Sequence, residues 1–311
     1  MPPLSLPVFR REKLDNSILS CLNRCPRLCF FNYVLNRASC GKSWPIQYGV
    51  AYHKFRETLE KLYFSWCVTD GKDLEEVSSM IYETSLAMAL KDWENPPLEH
   101  TKSYLDESRI TKACHMGFES WKANKISGNM KILHSEMPFE LPLPSGRIFC
   151  GRMDESIEWN NRLWIGDYKT LGRKPKGGNW KGKFNPDHQF SGYVWAGQEL
   201  SGRRIDGVIV SIVYNVKATG PEFHTALATR TKEDLGHWHE WVEDSYDLYE
   251  RYFEKDSWPM NTTACDDWGG CFFRNCCNAG QWSAIEQWLL DNTLESHWDP
   301  LDPDKEKGLP E

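Results

Sequence analysis

The sequence predicts an α/β fold, a sheet flanked by helices. Helical periodicity fills the first 125 residues, and a compact run of strands broken by a single helix begins near residue 130. The scale fits: 311 residues, 40% of them hydrophobic, allow one large domain or two small ones with an ordinary folded core.

The elements follow in order. Residues 17–37 and 47–66 are predicted helices. In the second, Ala51, Phe55, Leu59, Leu62 and Trp66 recur at three- and four-residue steps and form an apolar stripe. Helices at 72–92 and about 105–124 follow, with Pro96 and Pro97 marking the loop between them. Strands are predicted at 131–141, 147–159 and 163–170. Pro142-Leu143-Pro144-Ser145-Gly146 and Asn160-Asn161 separate them. Residues 172–182 read as a polar, glycine-rich loop, and 186–200 as a helix with Pro186 in its first turn. Two more strands, 208–214 and 223–228, precede a long amphipathic helix at 232–253, whose aromatic stripe reads as core. A cysteine-rich stretch at 265–277 and a short helix at 283–292 follow. The acidic, proline-containing tail from Pro300 is expected to be disordered. Grouped, these give a helical region 1–125, a β-rich core 126–256, a cysteine region 257–296 and a tail 297–311.

No run of 18 apolar residues exists, so no membrane helix is expected. The opening MPPLSLPVFRREKLD has too short an apolar part, and its charges fall on the wrong side, for a signal peptide. A cytoplasmic chain is expected. Its net charge of −7 argues against a broad basic surface but leaves room for a local one. Eleven cysteines in a reducing compartment disfavour a disulfide framework. Metal or cluster ligation and buried thiols remain.

Two consecutive predicted strands carry Gly151-Arg152-Met153-Asp154 and Gly166-Asp167-Tyr168-Lys169. Asp154 and Asp167 converge if the strands pair as a hairpin, and Lys169, two residues after Asp167, shares its face. Two carboxylates and an ammonium suit phosphodiester cleavage. The carboxylates hold a hard divalent cation, and the lysine stabilises developing charge or positions water. Without a cation the same residues read as solvent-facing charges. Gln189 and Tyr193 stand four apart on the following helix. On the second helix, Gly49-x3-His53-x3-Glu57 places His53 and Glu57 on one face, off the apolar stripe.

In this order, G-x-x-D, D-x-K and Q-x-x-x-Y with an upstream helical His resemble the RecB-like branch of the PD-(D/E)XK nuclease superfamily. The resemblance runs from about residue 17 to 277, with Met153 where the superfamily has a proline. It implies a restriction-endonuclease-like mixed sheet flanked by helices, with the nuclease core in 126–256. It implies that His53, Asp154, Asp167 and the Tyr168 carbonyl bind Mg2+ or Mn2+. Lys169 would be the catalytic lysine, with Gln189 and Tyr193 orienting site and DNA. Glu136 on the preceding strand is a further candidate to line the site, outside the motif set.

Cys265-x5-Cys271-x5-Cys277 supplies three thiols in an irregular segment, and Cys25, in Cys25-Pro26-Arg27, could be a fourth. Cys276 is an alternative to Cys277, and Cys21 and Cys29 are alternatives to Cys25. Close C-x2-4-C pairs typical of zinc are absent at the C-terminus, and iron–sulfur ligation tolerates looser spacing. The arrangement resembles the iron–sulfur staple of AddB-type and CRISPR-associated RecB-like nucleases. That implies a structural [4Fe–4S] cluster on Cys25, Cys265, Cys271 and Cys277 joining N- and C-terminal segments, with zinc as the alternative. Cys40, Cys67, Cys114 and Cys150 read as plain thiols.

Between Lys169 and Pro186 no residue is acidic, and Arg173, Lys174, Lys176, Lys181 and Lys183 surround Trp180. Cations beside an aromatic suit phosphate contact and base stacking. The expected function is thus a metal-dependent deoxyribonuclease. It would act as an exonuclease on single-stranded DNA ends in recombination, repair or replication, with a helicase partner conceivable and phage origin one setting. A non-catalytic iron–sulfur or zinc nucleic-acid-binding module is the alternative.

Overall fold

A computed structural model of the chain describes residues 5–40, 43–97, 100–172, 181–299 and 301. Its elements open with β1 (Lys13–Leu14), α1 (Asn16–Arg24), α2 (Pro26–Cys29) and β2 (Arg37–Ser39). The helices α3 (Trp44–Tyr63), α4 (Leu74–Leu90) and α5 (Glu107–Ser127) follow. Next come β3 (Met130–Pro142), β4 (Ile148–Trp159), β5 (Arg162–Leu171), α6 (His188–Ser201), β6 (Ile205–Val216) and β7 (Gly220–Thr229). The chain closes with α7 (Lys232–Glu254), α8 (Arg274–Asn278), α9 (Trp282–Asn292) and β8 (Thr293–Glu295).

The central sheet has the order β1-β4-β5-β6-β7, with β3 also paired to β4. It is mixed: β4–β5 and β6–β7 are antiparallel, β1–β4 and β5–β6 parallel. A parallel neighbour needs a crossover, and α6 supplies it between β5 and β6, which is why one helix interrupts the strands. Gly197 lets α6 lie close, since a Cβ there would stand 3.0 Å from Ile165 and 3.1 Å from Ile205. This is the mixed sheet flanked by helices that the sequence predicts.

Two compact units share these elements. One comprises Ser43–Met137 and Met153–Lys232, the other Met1–Lys42, Pro138–Arg152 and Glu233–Glu311. Each is discontinuous in sequence, because β3 and β4 run from one into the other, so the division does not follow the four consecutive segments expected above. In the first-named unit, the α3 stripe Ala51, Phe55 and Leu59 is buried with Ile81, Ile110, Phe118 and Trp121 against Tyr168 and Val213 of the sheet. Leu62 and Trp66 are partly buried against the same core.

In the other unit, α7 buries Trp238, Val242, Tyr246 and Tyr249, while Tyr252 is half-buried. Trp238 meets Phe149 edge-on at 5.2 Å. Tyr246 accepts from the Leu14 N–H at 2.8 Å and donates to the Ile148 carbonyl. The stripe is therefore core. N- and C-terminal segments bind directly as well, through the antiparallel β2–β8 pair.

Three local expectations are corrected. The single helix at 17–37 is broken: Cys25 is extended at φ −159°, Pro26 opens a second short helix, and Asn36 has φ 50° ahead of β2. Proline clashes with a preceding helical turn, which ends α1 there. Pro186 precedes α6 rather than lying in its first turn, because Asp187 is the N-cap, its carboxylate accepting from the Phe190 N–H. The cysteine stretch is not wholly irregular, as it includes a 3-10 segment, Thr262–Gly269, and α8. Strands β1, β2 and β8, of two or three residues, are too short for a period to register. Of the tail, Pro300 and residues 302–311 lie outside the described residues.

Gly207 sits opposite Thr229 in the β6–β7 ladder with φ 155°, and a Cβ there would meet the Ala228 carbonyl oxygen at 2.4 Å. Gly207→Ala is expected to cost about 1–3 kcal/mol by overpacking. Urea unfolding should show this as a lower midpoint at unchanged slope.

Candidate active site

The β4–β5 hairpin builds the site. Its ladder runs from Trp159↔Arg162 to Glu155↔Gly166, around the turn Asn160-Asn161. Both asparagines have positive φ, 52° and 58°, as a two-residue hairpin turn of this hand requires. Cross-strand partners share a face and neighbours alternate. Asp154, Asp167 and Lys169 therefore lie on one face, and Glu155, Gly166 and Tyr168 on the other.

On the first face, the Lys169 ammonium donates to Asp167 Oδ1 at 3.0 Å and to Gln189 Oε1 at 2.9 Å. The Gln189 amide in turn donates to the Tyr193 hydroxyl at 2.9 Å, one turn along α6. Asp167 is 2% exposed, and its Oδ2 has no hydrogen-bond partner. Burial pushes its carboxyl up to about 7, against the opposing pull of Lys169. Burial also weakens the Lys169 ammonium, but Asp167 and Asp154 outweigh it and raise its pKa.

Helix α3 brings His53 to the same place. A Cβ on Gly49, one turn earlier, would stand 3.1 Å from Thr170 Oγ1, so glycine lets α3 approach the end of β5. His53 Nε2 lies 2.8 Å from the Tyr168 carbonyl oxygen, and Nδ1 lies 3.4 Å from Asp154 Oδ2. That Asp154 oxygen also accepts from the Tyr168 N–H at 2.8 Å. With Nε2–H donated to the carbonyl, Nδ1 keeps its lone pair for a cation.

Tyr168 is gripped on the other face too. Its hydroxyl lies 2.5 Å from both Arg56 Nη2 and Glu155 Oε1. Arg56 also donates to the Gly117 carbonyl at 3.1 Å and stands 3.9 Å from Glu155. Burial pushes the Glu155 carboxyl up to about 7, with Arg56 opposing.

Ligand atoms of His53, Glu136 and Asp154 lie within 4.8 Å of one another, a group able to hold a hard cation. Asp167 is not in that group. Glu136 belongs to none of the ordered motifs, so the sequence leaves it unassigned. Its structural mark is a left-handed backbone, φ 51°, inside β3. Glu57 does not join the cluster, since its carboxylate pairs with Lys54 and Lys61 of its own helix. A residue that the sequence does not flag is Arg230, buried at the end of β7. It donates to the Phe184 and Asp187 carbonyls, Asn185 Oδ1 and Ser191 Oγ, anchoring the lead-in to the helix that carries Gln189. Of the basic loop, Lys183 is exposed, while Arg173, Lys174, Lys176, Trp180 and the Lys181 side chain lie outside the described residues.

In the other unit, Cys25, Cys265, Cys271 and Cys277 are all half-buried. Burial raises the Cys277 thiol to about 11, and the charges of Cys271, Cys25 and Cys265 add to the rise against Arg27. Burial likewise raises Cys271, with Cys265 and Cys25 adding to it. Burial and the neighbouring sulfurs thus make Cys271 and Cys277 harder to ionise, a cost that a bound cationic centre reverses. Cys276 is turned toward the Ile285 carbonyl, 3.8 Å away, and burial raises its thiol, with Cys277 and Cys271 adding to the rise. Cys29 faces the Ile18 carbonyl at 3.9 Å and interacts with Cys21. Among the described residues, no three cysteine sulfurs all lie within 4.8 Å of one another. A zinc tetrahedron with Zn–S near 2.3 Å needs sulfurs about 3.8 Å apart.

The model of the PD-(D/E)XK nuclease superfamily matches residues 16–278. No curated protein matches the sequence. Among solved structures, a candidate exonuclease from Eubacterium rectale is 16% identical, with a TM-score of 0.48 over 87% of this chain and 88% of its own. The protein SSO0001 is 13% identical, with a TM-score of 0.29 over 78% of each chain. No helix among the described residues is long and apolar enough to cross a membrane.

The buried carboxyls set a pH dependence. An unfolded Asp ionises near 3.8, whereas Asp167 in the fold holds its proton to about 7. Between those values the folded state binds more protons, so stability falls as pH rises through the window. Glu155, raised from 4.5, acts with the same sign. Thermal unfolding in EDTA should show the fall, Asp167→Asn should flatten it, and Mn2+ should reverse it most at the upper end.

Proposed function

Because the chain belongs to the PD-(D/E)XK nuclease superfamily, we propose that it is a Mg2+- or Mn2+-dependent deoxyribonuclease of the RecB-like branch, acting as an exonuclease on single-stranded DNA ends. One observation carries this reading: Asp154, Asp167 and Lys169 share a sheet face on which α3 delivers His53. The ordered motifs support the branch, and the basic loop beside Lys169 supports a nucleic-acid substrate. A recombination, repair or replication setting, a helicase partner and phage origin come from the resemblance alone.

His53, Glu136 and Asp154 would hold the cation, and Asp167, on the same sheet face, keeps its Oδ2 without a hydrogen-bond partner. Such a cation, when bound, polarises the phosphoryl oxygen and acidifies water. The chain's own residues do the rest. Asp167 and Gln189 fix the Lys169 ammonium in place, so a positive charge already stands where negative charge grows at phosphorus. Tyr193 fixes Gln189. The Tyr168 carbonyl fixes the ring of His53, while its N–H fixes the Asp154 carboxylate.

Lys169→Ala should lower cleavage of labelled single-stranded DNA by about 10²–10³ in Mg2+ or Mn2+, while binding in Ca2+ persists. Wild-type protein that binds DNA but cleaves none in either cation would leave the non-catalytic module instead.

We also propose a structural [4Fe–4S] cluster on Cys25, Cys265, Cys271 and Cys277, with zinc as the competing centre. The raised Cys271 and Cys277 thiols beside Cys25 and Cys265 support a bound centre, and the loose ligand spacing, which iron–sulfur ligation tolerates, supports iron. Bound there, a cluster would cross-link residues near both ends of the chain. Protein purified without oxygen should be brown and carry iron and sulfide. Cys265→Ser should lose both and melt lower, and Cys276→Ser should keep both. Stoichiometric zinc without iron would replace the cluster assignment.

A further inference from the structure

Beyond the cation site, a second feature of the same unit has no part in the chemistry above. Tyr104 is a half-buried ring between α4 and α5, and three cations converge on it. The Arg109 guanidinium lies 5.1 Å from the ring centroid, and the Lys102 and Lys217 ammoniums each lie 5.9 Å from it. Arg109 is pinned, donating to the Val216 and Lys217 carbonyls at 2.6 and 3.1 Å. Among the described residues none of the three cations forms an ion pair. Nearby acids are engaged elsewhere: Asp106 caps α5 by accepting from the Arg109 N–H, and Glu222 accepts from Thr219 Oγ1 and lies 3.5 Å from His224.

The ring attracts each cation, but three positive charges inside one Debye length still repel one another. An anion among them removes that cost. Position narrows the choice of anion. A Cβ on Gly172 would stand 4.0 Å from the Tyr104 hydroxyl. Gly172 follows Lys169 by three residues on the line of β5, about 10 Å at strand rise. The patch therefore flanks the carboxylate–lysine face at the point where the basic segment 173–183 begins in sequence.

We propose that Tyr104, Lys102 and Lys217 form a subsite for single-stranded nucleic acid, in which the lysines take backbone phosphates and the ring stacks one base. The subsite rests on the nuclease reading and adds to it a place that grips the strand away from the bond being cleaved. Stacking on an aromatic platform with flanking cations gives affinity without sequence preference. A strand end would thus be held whatever its sequence.

Fluorescence anisotropy of a labelled 20-nucleotide strand, with Ca2+ in place of Mg2+, tests this across a salt series. Lys102→Ala with Lys217→Ala should flatten the slope of log K against log salt by about 1.4, the value for two lost phosphate contacts on a single strand. Tyr104→Ala should weaken binding about ten-fold at unchanged slope. Lys102→Arg with Lys217→Arg should restore the slope, which lost folding would not allow, and melting curves of each variant check the fold directly. If wild type binds the strand and the variants bind it equally, the subsite is overturned while the nuclease reading stands. If a mononucleotide competes as well as the strand, the patch takes a free nucleotide and the proposal fails. If wild type neither binds nor cleaves, both readings fall.

Discussion

Tyr168 is held at every polar atom it owns, and the candidate site depends on that grip. Its N–H holds Asp154, its carbonyl holds His53, and its hydroxyl is shared by Arg56 and Glu155 on the opposite side of the sheet. One residue therefore ties a buried ion pair on one face to the proposed cation ligands on the other. His53 and Arg56 are three apart on α3, so a single helix seizes both ends of the tyrosine. Removing one member of a buried charged pair leaves the other uncompensated, which costs far more than the pair contributes net. The network is rigid for that reason, and it fixes the angle at which histidine and carboxylate meet.

Electrostatics divides the molecule into places that want a cation and places that want an anion. Asp167 keeps an unpartnered oxygen in a buried setting, and burial and neighbouring sulfurs make Cys271 and Cys277 resist ionising. Both arrangements are costly as bare protein and are relieved by positive centres. Tyr104 and its three cations present the converse. A net charge of −7 averages these away, so the whole-chain balance says little about what any one surface meets.

The hairpin was legible because Asn160-Asn161 separates two short strand-like runs. Parity then put Asp154, Asp167 and Lys169 together, and a helical step joined Gln189 to Tyr193. Glu136 was legible only as a neighbour on the preceding strand, because its left-handed backbone is something no periodicity announces. Spacing put Glu57 on the face of His53 but could not show that Lys54 and Lys61 pair with its carboxylate. Pro26 was the overlooked breaker in a helix that looked continuous. Arg230 could not be found, as its acceptors on the lead-in to α6 lie about 40 residues away in sequence.

What the sequence determined by itself is local: strand parity, helix faces, turn residues and the order of the motifs, all fixed within a few residues by backbone geometry. Only the tertiary structure decided which of those local pieces meet. It set β5 parallel to β6 across α6, brought α3 to the end of β5 and placed His53 against the Tyr168 carbonyl. Such choices are made by burial and by satisfying buried polar groups between segments far apart in the chain. No short-range pattern records that kind of pairing.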